Sequence, residues 1–143
     1  MKTLATFILP LLLWAATPAL AERSQTFGDL TVHYNVITTD TLTPEIARAY
    51  NITRSKYRGL LTVSVLRPNK LGIGEPVAAK IDAYAVNLSE QLRNIDMREV
   101  REGRAIYYLG TFSVAPQETL RFTVNINAEG TKNKLEFQQV LLP

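Results

Sequence analysis

The chain has 143 residues, no cysteine, one histidine, and 16 Lys plus Arg against 13 Asp plus Glu. That length suits one domain built around a single core. The absence of cysteine excludes disulfides, thiolate metal sites, thiol nucleophiles and lipid attachment through a thiol, and the near-neutral charge gives no argument for a nucleic-acid partner.

Residues 1–21 read as a secretory signal peptide. Lys2 is the only charge before Glu22, an apolar run extends from Leu4 to Ala16, and Ala19-Leu20-Ala21 puts small residues where a signal peptidase reads them. Cleavage is expected after Ala21. An uncleaved anchor is the competing reading, because Thr3 to Ala21 carries no charge and a spanning helix needs about 20 residues. Pro10, Pro18 and the polar sequel Glu22-Arg23-Ser24-Gln25 weigh against it. The sequence therefore predicts one domain over residues 22–143. It has 15 bases against 13 acids once Lys2 is lost, and no stable membrane span after cleavage.

Short runs of alternating apolar and polar residues dominate that domain, the period of half-buried strands. Leu30, Val32, Tyr34 and Val36 alternate with Thr31, His33 and Asn35 in a first strand over 30–38. Thr43-Pro44-Glu45 then supplies a cap, a proline fit for the first helical position and an early acid. Asn51 offers a left-handed stop, so Pro44 to Tyr50 reads as a short helix. A second strand spans Arg54 to Arg67, and glycines 72 and 74 with Pro76 mark a loop.

Residues 77–88 fit either of two elements. Val77, Ile81, Tyr84, Leu88 and Leu92 have helical spacing, while Val77, Ala79, Ile81, Ala83 and Ala85 share one side of a strand. Residues 94–101 and 104–114 form a hairpin around Glu102-Gly103, and Leu120 to Asn127 turns through Ala128-Glu129-Gly130 into a last strand over 134–142. With 77–88 as a strand the count is seven. The class is then mainly β: a seven-stranded antiparallel β-sandwich, immunoglobulin-like, with one short helix. The disulfide and core tryptophan of antibody domains are missing, since Trp14 lies in the signal.

Nothing along the chain nominates catalysis, a metal or a cofactor. His33 stands alone on the polar side of its strand, and Asp29, Asp40, Asp82 and Asp96 are too scattered for a calcium loop. There is no glycine-flanked serine elbow, and Gly72-Ile73-Gly74 lacks the lysine and helix of a phosphate loop. Asp96, Glu99 and Glu102 interleave with Arg98, Arg101 and Arg104 as a solvated hairpin would. Asn51-Ile52-Thr53 and Asn87-Leu88-Ser89 match glycosylation acceptors, which means nothing in a bacterial host.

Charge segregation is the most informative feature. From Ile46 to Gly74 there is no acid, while Arg48, Arg54, Lys56, Arg58, Arg67 and Lys70 are all basic. Strand alternation would set Arg54, Lys56 and Arg58 on one side, successive members about 7 Å apart, as a stripe for anionic groups. Tyr50 and Tyr57 border that stripe. These five residues are the candidate binding set, and Tyr107-Tyr108 point to opposite faces of a later strand, one of them into the core.

The run Ala49-Tyr50-Asn51-Ile52 with Arg54-Ser55-Lys56-Tyr57-Arg58-Gly59-Leu60-Leu61 resembles a family of exported Gram-negative bacterial proteins described only as a domain of unknown function. Val32-His33-Tyr34-Asn35, Asn87-Leu88, Glu102-Gly103, Ala105-Ile106-Tyr107-Tyr108, Phe122 and Phe137 agree with it. The resemblance implies a periplasmic location and favours the strand reading of 77–88; it carries no activity or site. The expectation is a non-catalytic binding module for an envelope protein or an anionic envelope component. The alternative is an envelope hydrolase using scattered groups such as His33, Asp29 and the carboxylates of 96–102.

Overall fold

The computed structural model describes residues 23–72 and 74–142, and the segment over 1–21 expected to be a signal peptide lies outside them. The strands are β1 (Arg23–Phe27), β2 (Leu30–Thr38), β3 (Arg58–Arg67), β4 (Glu75–Pro76), β5 (Ala79–Asn87), β6 (Leu92–Ile95), β7 (Arg98–Glu102), β8 (Ala105–Ser113), β9 (Thr119–Ala128) and β10 (Thr131–Val140), with one α-helix, α1 (Pro44–Ala49), and a single 3-10 turn over Thr39–Thr41. One sheet runs β1-β2-β3-β8-β7, with β4 paired to the end of β3; the other runs β10-β9-β5-β6. All pairings are antiparallel. The order β2-β3-β8-β7 facing β10-β9-β5-β6 is that of immunoglobulin-type sandwiches.

Ten strands replace the expected seven. β1 lacks an apolar face because little lies against it, and its residues are almost wholly exposed. The expected strand over 94–101 divides into β6 in one sheet and β7 in the other. Asp96-Met97 carries the chain across, and Gly110 on β8 makes the passage possible. A Cβ there would stand 2.5 Å from both the Ile95 side chain and the Met97 sulfur. Residues 79–87 form a strand, paired with β9 on one side and β6 on the other, which settles the two readings of 77–88.

The core between the sheets takes the odd residues of β3 and the even residues of β9: Leu61, Val63, Val65, Leu120, Phe122, Val124 and Ile126 are all at most 2 % exposed. A run of rings crosses it. Tyr34 meets Phe137 at 4.5 Å between centroids, Phe137 stacks on Phe122 at 4.9 Å, and Phe122 meets Phe112 edge-on at 5.3 Å. Of the two strands that a disulfide joins in antibody domains, β3 gives the core aliphatic residues and β9 gives it Phe122. The Tyr108 hydroxyl accepts a hydrogen bond from the Ala79 backbone N–H at 2.7 Å, joining the two sheets, while Tyr107 faces outward as its alternation requires.

Polar clamps close the ends. Arg67 binds Asp29 in the β1–β2 turn and Glu129 in the β9–β10 turn, which holds its guanidinium further in the charged form. Arg93 binds Glu118 and donates to the Ser113 carbonyl. Arg23 donates to Gln139 at 2.8 Å, and Gln139 donates to the Val36 carbonyl at 3.0 Å. Asn87 is buried with its amide spent on Ser89 and Gln91, so the second glycosylation pattern belongs to a loop clamp.

Candidate functional site

The outward face of the larger sheet is unusually apolar. Ile37 on β2, Leu60 on β3 and Leu109 on β8 point away from the core, and Leu60 and Leu109 are nevertheless buried. What covers them is the segment around α1. Thr43 caps the helix by accepting the Ile46 N–H at 3.3 Å, Pro44 takes the first turn, and Asn51 leaves it with φ 56°. Ile52 is then delivered beneath the helix, its N–H bonded to the Ala47 carbonyl at 2.7 Å. The helix ends at Ala49, one residue before the expected Tyr50.

A second anchor is Thr39, which is wholly buried. Its hydroxyl lies 2.8 Å from the Thr53 carbonyl, 3.0 Å from the Ser55 carbonyl and 2.8 Å from the Ser55 N–H. The Ser55 hydroxyl accepts the Tyr57 N–H in turn. Side chains have therefore taken the backbone groups that a strand would need over 53–57. This corrects the expected strand Arg54 to Arg67: β3 begins at Arg58, and Arg54 and Lys56 lie in the preceding loop.

The candidate residues consequently play different parts. Arg54 donates to the Leu42 carbonyl at 2.7 Å and the Asp40 carbonyl at 3.1 Å, pinning the approach to α1. Lys56 sits 5.5 Å above the Tyr57 ring, and both are exposed. Arg58 is exposed at the start of β3. Tyr50 hydrogen-bonds the Glu102 carboxylate through its hydroxyl and accepts from Arg98 at its carbonyl. The bond to Glu102 pushes the Tyr50 phenol above its ordinary pKa.

Between α1 and the sheet a groove of about 220 Å³ remains open, lined by Ile37, Leu42, Ile46, Tyr50, Leu60 and Tyr107 among others. Past Thr62 and Tyr107 it continues into a smaller hollow of about 140 Å³ that holds His33, Asn35 and Ser64. Alternation in single strands missed this site. The signal was there in the neighbouring apolar pairs Val36-Ile37, Leu60-Leu61 and Tyr108-Leu109, where both faces of a strand are apolar and both must be covered.

The groups of the hydrolase alternative are dispersed. Asp29 is held by Arg67 in a turn, Glu99 by Arg101, and Glu102 by Tyr50, while His33 lies on the outward side of β2. Among the described residues no cluster of three or more His, Asp or Glu could hold a metal, and no helix is long and apolar enough to cross a membrane.

The fold is shared. FetP of uropathogenic Escherichia coli strain F11, recombinantly expressed in the periplasm of E. coli BL21(DE3), superposes with a TM-score of 0.54 over 82% of this chain and 93% of that one, at 12% identity. A crystal structure of a DUF4426 family protein from Pseudomonas aeruginosa PAO1 superposes with a TM-score of 0.73, at 35% identity, over 85% of this chain and 95% of that one. No curated protein matches the chain. The family model for the domain of unknown function DUF4426 matches residues 24–143, and with those proportions the chain belongs to the DUF4426 family.

Proposed function

We propose that the protein is a non-catalytic interaction module of the periplasm that holds a polypeptide segment of an envelope protein in the groove beside α1. The groove itself carries the reading. Its volume of about 220 Å³ lies below the ~300–1,000 Å³ of ordinary small-molecule sites, and its lining is nearly all apolar. That suits one or two apolar side chains anchored from a partner. Arg48 on α1, with Lys56 and Arg58, supplies exposed positive charge beside it within the acid-free stretch, which favours acidic residues flanking the anchor.

Photocrosslinking from position 46, which is 45 % exposed at the groove, tests the reading. A partner captured there and not from position 82 on the opposite sheet is expected, with capture reduced several-fold by Lys56→Ala combined with Arg58→Ala. Arg54 is left intact because its guanidinium holds the loop. Equal capture from both positions, or indifference to the two alanines, would overturn it.

The periplasmic location is supported by the signal-like segment Lys2 to Ala21. Mass spectrometry of the protein from its host should find Glu22 as the amino terminus. A native terminus at Met1 would replace a freely diffusing module with a tethered one.

A further inference from the structure

The outward face of the smaller sheet is also uncovered, and its chemistry is the opposite of the groove's. Cross-strand register sets Lys80, Asn127 and Lys132 in one rank and Asp82, Asn125 and Lys134 in the next. Tyr84, Thr123 and Glu136 form a third rank, ahead of Val86, Arg121 and Gln138. Two hollows of about 450 Å³ and 410 Å³ lie along these ranks. They make a true trough. Thr123 points outward from β9 yet is only 9 % exposed, because its neighbours stand higher than it does.

We propose that this trough binds a linear, anionic oligosaccharide. Four ranks at two residues each extend about 20 Å, the reach of several sugar rings and far more than one small molecule needs. Asn125 and Asn127 each offer an amide donor and acceptor at the floor, the pairing that vicinal hydroxyls require. Tyr84 is half-buried and offers an apolar ring with a polar tip. Arg121 is paired with Glu90 at 2.9 Å and Lys134 lies 4.0 Å from Glu136, so Lys80 and Lys132 against Asp82 leave the face net positive, and a polymer with acidic groups meets these two lysines in one rank. Large apolar anchors of the kind a protein partner would need are few. The site lies on the sheet opposite the groove, and the inference does not rest on the peptide reading.

Calorimetry on the purified protein with an oligogalacturonate tetramer, a neutral cellotetraose and inorganic phosphate separates the outcomes. The acidic tetramer is expected to bind, at least tenfold more tightly than the neutral one, and to weaken as salt rises. Asn125→Ala with Asn127→Ala should lower its affinity at least tenfold, and Lys80→Ala with Lys132→Ala should flatten the salt dependence. Thermal melts unchanged by these substitutions confirm that folding is intact. Absence of binding by the acidic tetramer overturns the proposal. So does equal binding of the neutral tetramer, or phosphate binding that accounts for the whole effect.

Discussion

Replacing Phe122 with alanine is expected to cost about 3–5 kcal/mol and to lower the melting temperature by roughly 10–20 °C in a domain of this size. Phe122 is 1 % exposed and stands between two other rings, stacked on Phe137 and edge-on to Phe112. Its removal takes away the apolar transfer energy of the ring and the two aromatic contacts, and leaves a cavity between two sheets whose backbones are fixed by ladders and cannot close it. With no disulfide to limit the unfolded chain, nothing compensates. A urea titration showing a loss below about 1 kcal/mol would mean that Phe137 and Phe112 collapse into the space.

The second large effect comes from adding atoms. Gly59 on β3 lies directly opposite Phe112 on β8, and a Cβ at Gly59 would stand 2.2 Å from the Phe112 ring. The ring lies over the glycine, and it cannot swing aside freely because its edge already meets Phe122. Gly59→Ala should therefore destabilise by about 1–3 kcal/mol through overpacking. In a Phe112→Ala background the same substitution should become neutral or stabilising by about 0.5 kcal/mol, since alanine is ordinarily preferred to glycine inside a strand. The sign change is the test. Additive effects of the two substitutions in denaturant titrations would show that ring and glycine do not share one space.

How much of this was legible beforehand varied with the physics of each segment. The helix could be read locally, because Thr43, Pro44 and Asn51 act on backbone groups within one turn. The strands of the core could be read from alternation, because one face is buried and the other wet. Residues 77–88 could not, since alanines at 79, 83 and 85 suit both periods, and only pairing with β9 decides between them. The loop over 53–57 is hidden from alternation for a related reason: Thr39, 14 to 16 residues earlier, supplies the hydroxyl that takes up its backbone groups. β6 and β7 merged into one expected strand because the change of sheet depends on the space at Gly110, fifteen residues after Ile95. Of the five candidate residues, Tyr50 lines the groove, Arg54 is spent on carbonyls, and Lys56, Tyr57 and Arg58 are exposed near its approach.

The clamp between Arg23 and Gln139 has a mechanical consequence. It joins the start of the first strand to the end of the last through one side-chain hydrogen bond of 2.8 Å, across the edges of the two sheets. A force that separates the two ends would load one hydrogen-bonded pair at a time, opening β1 from Arg23 opposite Tyr34 and β10 from Val140 opposite Thr119. Peeled in this way the sandwich yields like a zip. Pulled instead between positions on β3 and β9, it would have to shear whole ladders and the ring stack at once.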